Sequence, residues 1–187
     1  MNTLDTIHEE HATMLAIYQA LGHLLDEIKA GATPDWKLLA TLLDYVLREP
    51  EELHHPREDR YLFPMLSERE PASRALVERL SSQHDEGREQ MGALAAAFIR
   101  YQSRGGEGFE TFERTARRYA EAAVAHIALE EHDLLPLARK VLTATDLAEL
   151  DRLYREDGAQ PAGEFRELFK KLAHRLPSPY GFGGRPR

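Results

Sequence analysis

The chain has 187 residues, 30% of them charged and 42% hydrophobic, enough for one well-cored soluble domain with an appended piece and unlike a disordered chain. Its 24 Lys and Arg stand against 32 Asp and Glu, a net charge of −8 that disfavours a phosphate-backbone partner, so nucleic acid is not expected. The absence of cysteine excludes disulfides, thiolate metal sites and cysteine catalysis; no run nears the ~20 apolar residues that span a bilayer, and the N-terminus is not of secretory type, so no membrane contact and a cytoplasmic location are expected.

Helical spacing begins at once. Leu4, Ile7, His11, Met14, Tyr18, Leu21, Leu25 and Ile28 trace one apolar stripe, and His11 lies in it. After a loop at Gly31 to Pro34, a second helix is predicted with Pro34 near its first position and Trp36, Leu39, Leu42, Leu43, Val46 and Leu47 inward. Pro50 and Pro56 should bend or interrupt it, because proline lacks the amide hydrogen and crowds the preceding turn. A third helix is predicted from Ser73 to Arg104, with His84 on its inner face between Leu80 and Met91. Gly105, Gly106 and Gly108 read as a loop, and a fourth helix as Phe109 to Val141.

Four such helices with short connections, and no competing strand pattern, predict an all-α fold, an antiparallel up-and-down four-helix bundle over residues 1–143. Residues 144–187 read as accessory helices and a Pro/Gly-rich tail. Thr145 is expected to cap a helix through Leu153, and Pro161 to open another through Phe165, Leu168, Phe169 and Leu172. These pieces are expected to cover the bundle end, join a second copy of the chain as a homodimer, or meet another partner.

A repeat carries the chemistry. His11 is followed by His54-His55-Pro56-Arg57-Glu58 and then Leu62-Phe63-Pro64; His84 is followed by His126-Ile127-Ala128-Leu129-Glu130 and then Leu134-Leu135-Pro136. All three features recur at a displacement of 72 or 73 residues. On a helix, residues i and i+4 share a face. Each HxxxE pair can therefore aim an imidazole and a carboxylate at one point, and the two lone histidines can face them. The expected metal ligands are His11, His54, Glu58, His84, His126 and Glu130, a set that suits two ions.

Other residues are weighed against these. His8, His55 and His132 are second choices, since none keeps the doubled register. Asp59 and Glu131 follow the two glutamates and could orient a ligating imidazole, but a solvated charged face is the favoured reading, as it is for Glu49 to Glu52. A ferritin-like Glu-x-x-His pattern fits less well: Glu51 precedes His54 at that spacing, while His84 and His126 have no such acid.

The pattern resembles the hemerythrin-like, or HHE cation-binding, family over roughly residues 3 to 142, with local strings such as Glu10-His11, His54-His55-Pro56-Arg57-Glu58-Asp59 and Leu129-Glu130-Glu131. The resemblance implies two non-haem iron ions in a four-helix bundle, with His11, His54, His84 and His126 as terminal ligands and Glu58 and Glu130 as bridges. Oxygen-carrying members have an additional histidine where this chain has Arg88, so the chain is more similar to the six-ligand bacterial branch.

Two imidazoles, one oxygen of each bridging glutamate and an oxo or hydroxo bridge would leave one open position on each octahedral iron. Manganese or zinc suits the same donors. The function implied is binding or sensing dioxygen, peroxide or nitric oxide. The alternatives are a metal-dependent regulatory module, or an enzyme of iron-centre repair or peroxide decomposition. No catalytic residue is singled out.

Overall fold

The computed structural model describes residues 2–158 and Leu172. Helices account for its regular structure, and there is no strand among the described residues, as the sequence predicts. α1 spans Thr3–Lys29. Its start is fixed by a capping box in which the Asn2 side chain accepts from the Asp5 amide at 3.0 Å and Asp5 returns to the Asn2 amide, satisfying donors that the first turn leaves unpaired.

α2 begins as Trp36–Val46, capped by Asp35, whose side chain accepts from the Leu38 amide. Pro34 therefore precedes the cap instead of opening the first turn. The rod then continues unbroken through a π-helical stretch Leu47–His54, a turn His55–Arg57, a second π-helical stretch Glu58–Leu62, and a last segment Phe63–Arg69. The interruption expected at Pro50 and Pro56 takes the form of a switch from α- to π-helical turns, and the chain stays helical through both. A proline ring crowds the carbonyl four residues back, and for Pro56 and Pro64 those residues, Glu52 and Arg60, lie inside the π-helical stretches, where the wider turn makes room.

α3 is Arg74–Arg104. α4 starts at Gly106, three residues before the sequence expectation, runs to Leu129, widens into a π-helical turn Glu130–Leu134, and ends as Leu135–Val141. The early start reflects a close approach: a Cβ on Gly108 would stand 2.6 Å from the Tyr101 Cα, so only glycine lets α4 turn back this tightly on α3. α5, Ala144–Glu156, is capped by Thr143 and Asp146, two residues ahead of the expected Thr145.

α3 packs along α4, α1 packs on α2 and α4, and α5 rests on α1 and on the Glu58–Leu62 turn of α2. Two carbon-rich clusters result. One gathers Met14, Leu21, Leu42, Phe98 and Phe112, with Leu172 buried in it; the other gathers Leu4, Ile7, Leu62, Phe63, Leu80 and Leu134, joined by Leu150 and Tyr154 of α5.

Between them, at the height where α1 passes from Ile7 to Met14 and α3 from Leu80 to Met91, lies a layer of histidine and glutamate. Burying a Leu or Phe side chain contributes about 1.5–3 kcal/mol, and the two clusters offset the cost of sequestering that polar layer. α5 is tied down by Asp151, which accepts from the Thr3 amide and hydroxyl, and by Asp146 with Arg69. The expected helix after Pro161, with Phe165, Leu168 and Phe169, and the tail from Pro177 lie outside the described residues. None of the described helices is long and apolar enough to cross a membrane.

Candidate metal centre

The six residues of the doubled pattern converge. All are buried, Glu58, His84 and Glu130 completely. The Nε2 atoms of His11 and His54 stand 3.0 Å apart, and those of His84 and His126 3.1 Å. Glu58 Oε2 lies 3.4 Å from His54 and 3.7 Å from His84; Glu130 Oε2 lies 3.1 Å from His11 and 3.4 Å from His126. Each carboxylate thus faces one imidazole from each half of the repeat. Two four-donor groups result, His11–His54–Glu58–Glu130 and His84–His126–Glu58–Glu130, and the glutamates belong to both.

The outward nitrogens explain why the inward ones are free. His11 Nδ1 bonds Glu131 at 2.6 Å, His54 Nδ1 bonds Glu10 at 2.7 Å, His84 Nδ1 bonds Asp59 at 3.0 Å, and His126 Nδ1 bonds the Gln83 side-chain oxygen at 3.0 Å. Each oxygen accepts the Nδ1 proton, which leaves the Nε2 lone pair pointing inward. Asp59 and Glu131 therefore orient imidazoles, and the solvated reading of these two is overturned. The same holds in part for the Glu49 to Glu52 run: Glu49 and Glu51 are buried, and only Glu52 is exposed.

The apolar-apolar-Pro triplets prove to be more than register marks. Glu58 and Glu130 each open a π-helical turn, Glu58–Leu62 and Glu130–Leu134, and the proline two residues beyond each turn sits four after Arg60 or His132. The widening that accommodates Pro64 and Pro136 sits directly beside the two glutamates. π-turns of this kind recur at functional sites.

Electrostatics within the layer are those of a cation site. Burial raises the Glu58 carboxyl well above the usual range and the charge of Glu130 adds to it. At Glu130 burial pushes the same way, but His126 and His11 outweigh it and hold that carboxyl well below. Burial works to lower the His11 pKa, yet Glu130 and Glu131 carry it up to about 9, whereas burial brings His54 down to about 4. Without a metal, a proton on His11 relieves the confrontation of its Nε2 with that of His54, and a bound cation would displace it.

The donors fit two small ions. Neither oxygen of Glu58 or of Glu130 has a hydrogen-bond partner, although all four are buried. Neighbouring ligands of an ion that takes N and O donors at about 2.1 Å stand about 3 Å apart, the scale of the donor separations in each group. An all-N/O set of imidazole and carboxylate suits iron, manganese or zinc.

The second-choice histidines divide. His8 is exposed and meets Glu131 at 2.8 Å, and His132 is exposed; neither reaches the layer. His55 does reach it. Its ring stacks on His84 with centroids 4.1 Å apart and planes 11° from parallel. A nitrogen of His55 lies within 4.8 Å of nitrogens of His84 and His126, but imidazole lone pairs lie in the ring plane, and a cation in line with His84 lies out of the plane of His55. Sequence reasoning missed Glu10, Gln83, Arg57 and Tyr119. Glu10 and Gln83 were within its reach, since each directly precedes a lone histidine.

No curated protein sequence is significantly similar to the chain. The family model of the hemerythrin HHE cation-binding domain matches residues 2–138, a stretch that holds all six converging residues and the residues that orient them. The chain belongs to the hemerythrin HHE cation-binding domain family.

Proposed function

We propose that α1 to α4 form an antiparallel four-helix bundle around two iron ions, one held by His11 and His54, the other by His84 and His126, with Glu58 and Glu130 shared between them, and that this cytoplasmic protein binds and processes dioxygen, peroxide or nitric oxide. The observation that carries the reading is the inward convergence of four Nε2 atoms on two carboxylates whose oxygens have no hydrogen-bond partners. When bound, an iron pair supplies redox and Lewis-acid chemistry to a small ligand. The chain supplies fixed tautomers through Glu131, Glu10, Asp59 and Gln83, and carbon-rich clusters that keep bulk water from the layer. Protein loaded anaerobically with ferrous iron should retain close to two ions per chain and then consume hydrogen peroxide or nitric oxide in a metal-dependent way. Failure to take up iron would end this reading.

A second reading, a metal-controlled switch, is favoured by one contact chain. The Arg57 guanidinium lies 5.1 Å over the Tyr154 ring of α5 and donates to Glu10, the carboxylate that holds His54. Occupancy of the centre is thereby linked to the seating of α5. Iron-loaded protein that is inert toward both ligands, yet changes the proteolytic exposure of α5 on iron loss, would favour the switch.

A further inference from the structure

Among the described residues, the two histidine pairs differ in access. A cleft of about 140 Å³ opens beside His126 and is lined by Glu51, His55, Gly87 and Tyr119. None of its lining residues belongs to the His11–His54 pair. The repeat shows what has changed: the positions equivalent to Glu51, His55 and Gly87 are Ala123, Ile127 and Met14. Ile127 and Met14 are buried in the carbon-rich cluster and Ala123 packs against it. Met14 and Ile127 thus fill two of these positions with carbon, and Ala123 itself lines the cleft, which carries a carboxylate, an imidazole and a residue without a side chain at Glu51, His55 and Gly87.

Three atoms of residues lining the cleft are unsatisfied: Gln90 Oε1 and a facing pair on Glu51 and His55. Glu51 Oε2 and His55 Nδ1 are buried without hydrogen-bond partners and stand 3.6 Å apart, too far to satisfy one another. Both residues are more than nine-tenths buried. Tyr119 donates to the other oxygen of Glu51 at 2.8 Å, which fixes the carboxylate and leaves Oε2 to accept. Glycine at 87 leaves room for this placement, since a Cβ there would stand 3.0 Å from Glu51 Oε1 and press on the carboxylate. Orphaned buried polar atoms cost stability, so a pair kept in register at the end of an open cleft points to a ligand.

We infer that Glu51 and His55 form a hydrogen-bonding subsite for a neutral, protic molecule of two or three heavy atoms, hydrogen peroxide being the member an iron pair can use, and that it reaches the centre on the His84–His126 side. This rests on the proposed function for the use made of the ligand, but the subsite itself consists of protein atoms. The ligand must accept from or donate to His55 Nδ1 and donate to Glu51 Oε2, which peroxide does and dioxygen does not. Anions are disfavoured, because the lining has the carboxylates of Glu51 and Glu86 and no lysine or arginine. Water takes up about 30 Å³, so the cleft admits only a few atoms.

Zinc-loaded protein, which cannot turn peroxide over, gives the cleanest test. With the histidine nitrogens labelled, hydrogen peroxide should shift His55 Nδ1 saturably and leave His11 unmoved, and Glu51→Gln should weaken the effect by about tenfold, the scale of one buried hydrogen bond. Gly87→Val should plug the cleft. Its ferrous form should keep the wild-type iron content, yet be oxidised by peroxide at least about tenfold more slowly, with Gly87→Ala intermediate and thermal melts confirming that each variant folds. An unmoved His55 signal, or an unchanged oxidation rate in folded Gly87→Val, overturns the subsite. If no metal is taken up, the metal-free protein still reports on His55, so loss of the iron reading and loss of the subsite are separate results.

Discussion

The His11–His54 side and the His84–His126 side are built on one plan and finished differently. In both, the residue before the lone histidine orients the imidazole of the HxxxE pair: Glu10 acts on His54, and Gln83 on His126. In both, the residue after the glutamate orients the lone histidine of the other half: Asp59 acts on His84, and Glu131 on His11. The difference lies in charge and access. His54 leans on a carboxylate that Arg57 also engages, while His126 leans on a neutral amide and lines the cleft. A duplicated frame can thus present two similar groups of donors with unequal outer partners and, among the described residues, a cleft beside only one of the histidine pairs.

Breaking the shared part should have the largest effect. Glu58→Ala or Glu130→Ala removes a carboxylate that faces both pairs, so iron content should fall toward none, whereas His11→Ala or His84→Ala should chiefly weaken one ion. Metal analysis after gel filtration reads the difference, and equal losses from glutamate and histidine variants would break the comparison.

Next comes the Glu10 and Gln83 exchange. A carboxylate behind a ligating imidazole raises its basicity, and losing such a partner costs about 10- to 100-fold in metal affinity. Glu10→Gln should weaken the ion on the His54 side by that order, and Gln83→Glu should strengthen the other. Competition with a chelator measures both, and no change in either would show that the outer partners do not distinguish the ions.

A smaller effect concerns Glu49, whose carboxyl burial pushes up to about 7, with the charge of Glu10 adding to it. A carboxyl raised in the folded state favours folding below its ordinary pKa of 4.5, and that contribution is lost as pH rises to about 7. Glu49→Gln should therefore raise the melting temperature of metal-free protein at pH 8 and leave it nearly unchanged at pH 4. The reverse ordering would place Glu49 among the groups stabilised by charge. The smallest effects are expected for His8→Ala and His132→Ala, which should keep wild-type iron content. His55→Ala should do so as well, because its ring plane is turned away from the ion that His84 would hold.

The all-α fold and the six inner residues were legible because helical periodicity and the i, i+4 relation are local, and duplication removed most accidental matches. Asp59 and Glu131 were misjudged for the opposite reason. Whether an acid that follows a ligand faces solvent or a neighbouring helix depends on rotation about the helix axis, and the π-helical turns at Glu58 and Glu130 change that rotation. Pro50 and Pro56 do interrupt the α-helical pattern, but the sequence does not show that π-helical turns keep the chain helical there. The burial of Glu51 could not be seen from its neighbours: its partner Tyr119 lies 68 residues away.

The central claim is a pair of unequal irons on one duplicated frame. Mössbauer spectroscopy of protein loaded with isotopically enriched ferrous iron tests it most directly. The account predicts close to two irons per chain in two distinct signals of equal area, with only one of them perturbed when Gln83 is replaced by Glu. A single iron per chain, or a folded protein that takes up none, would contradict it.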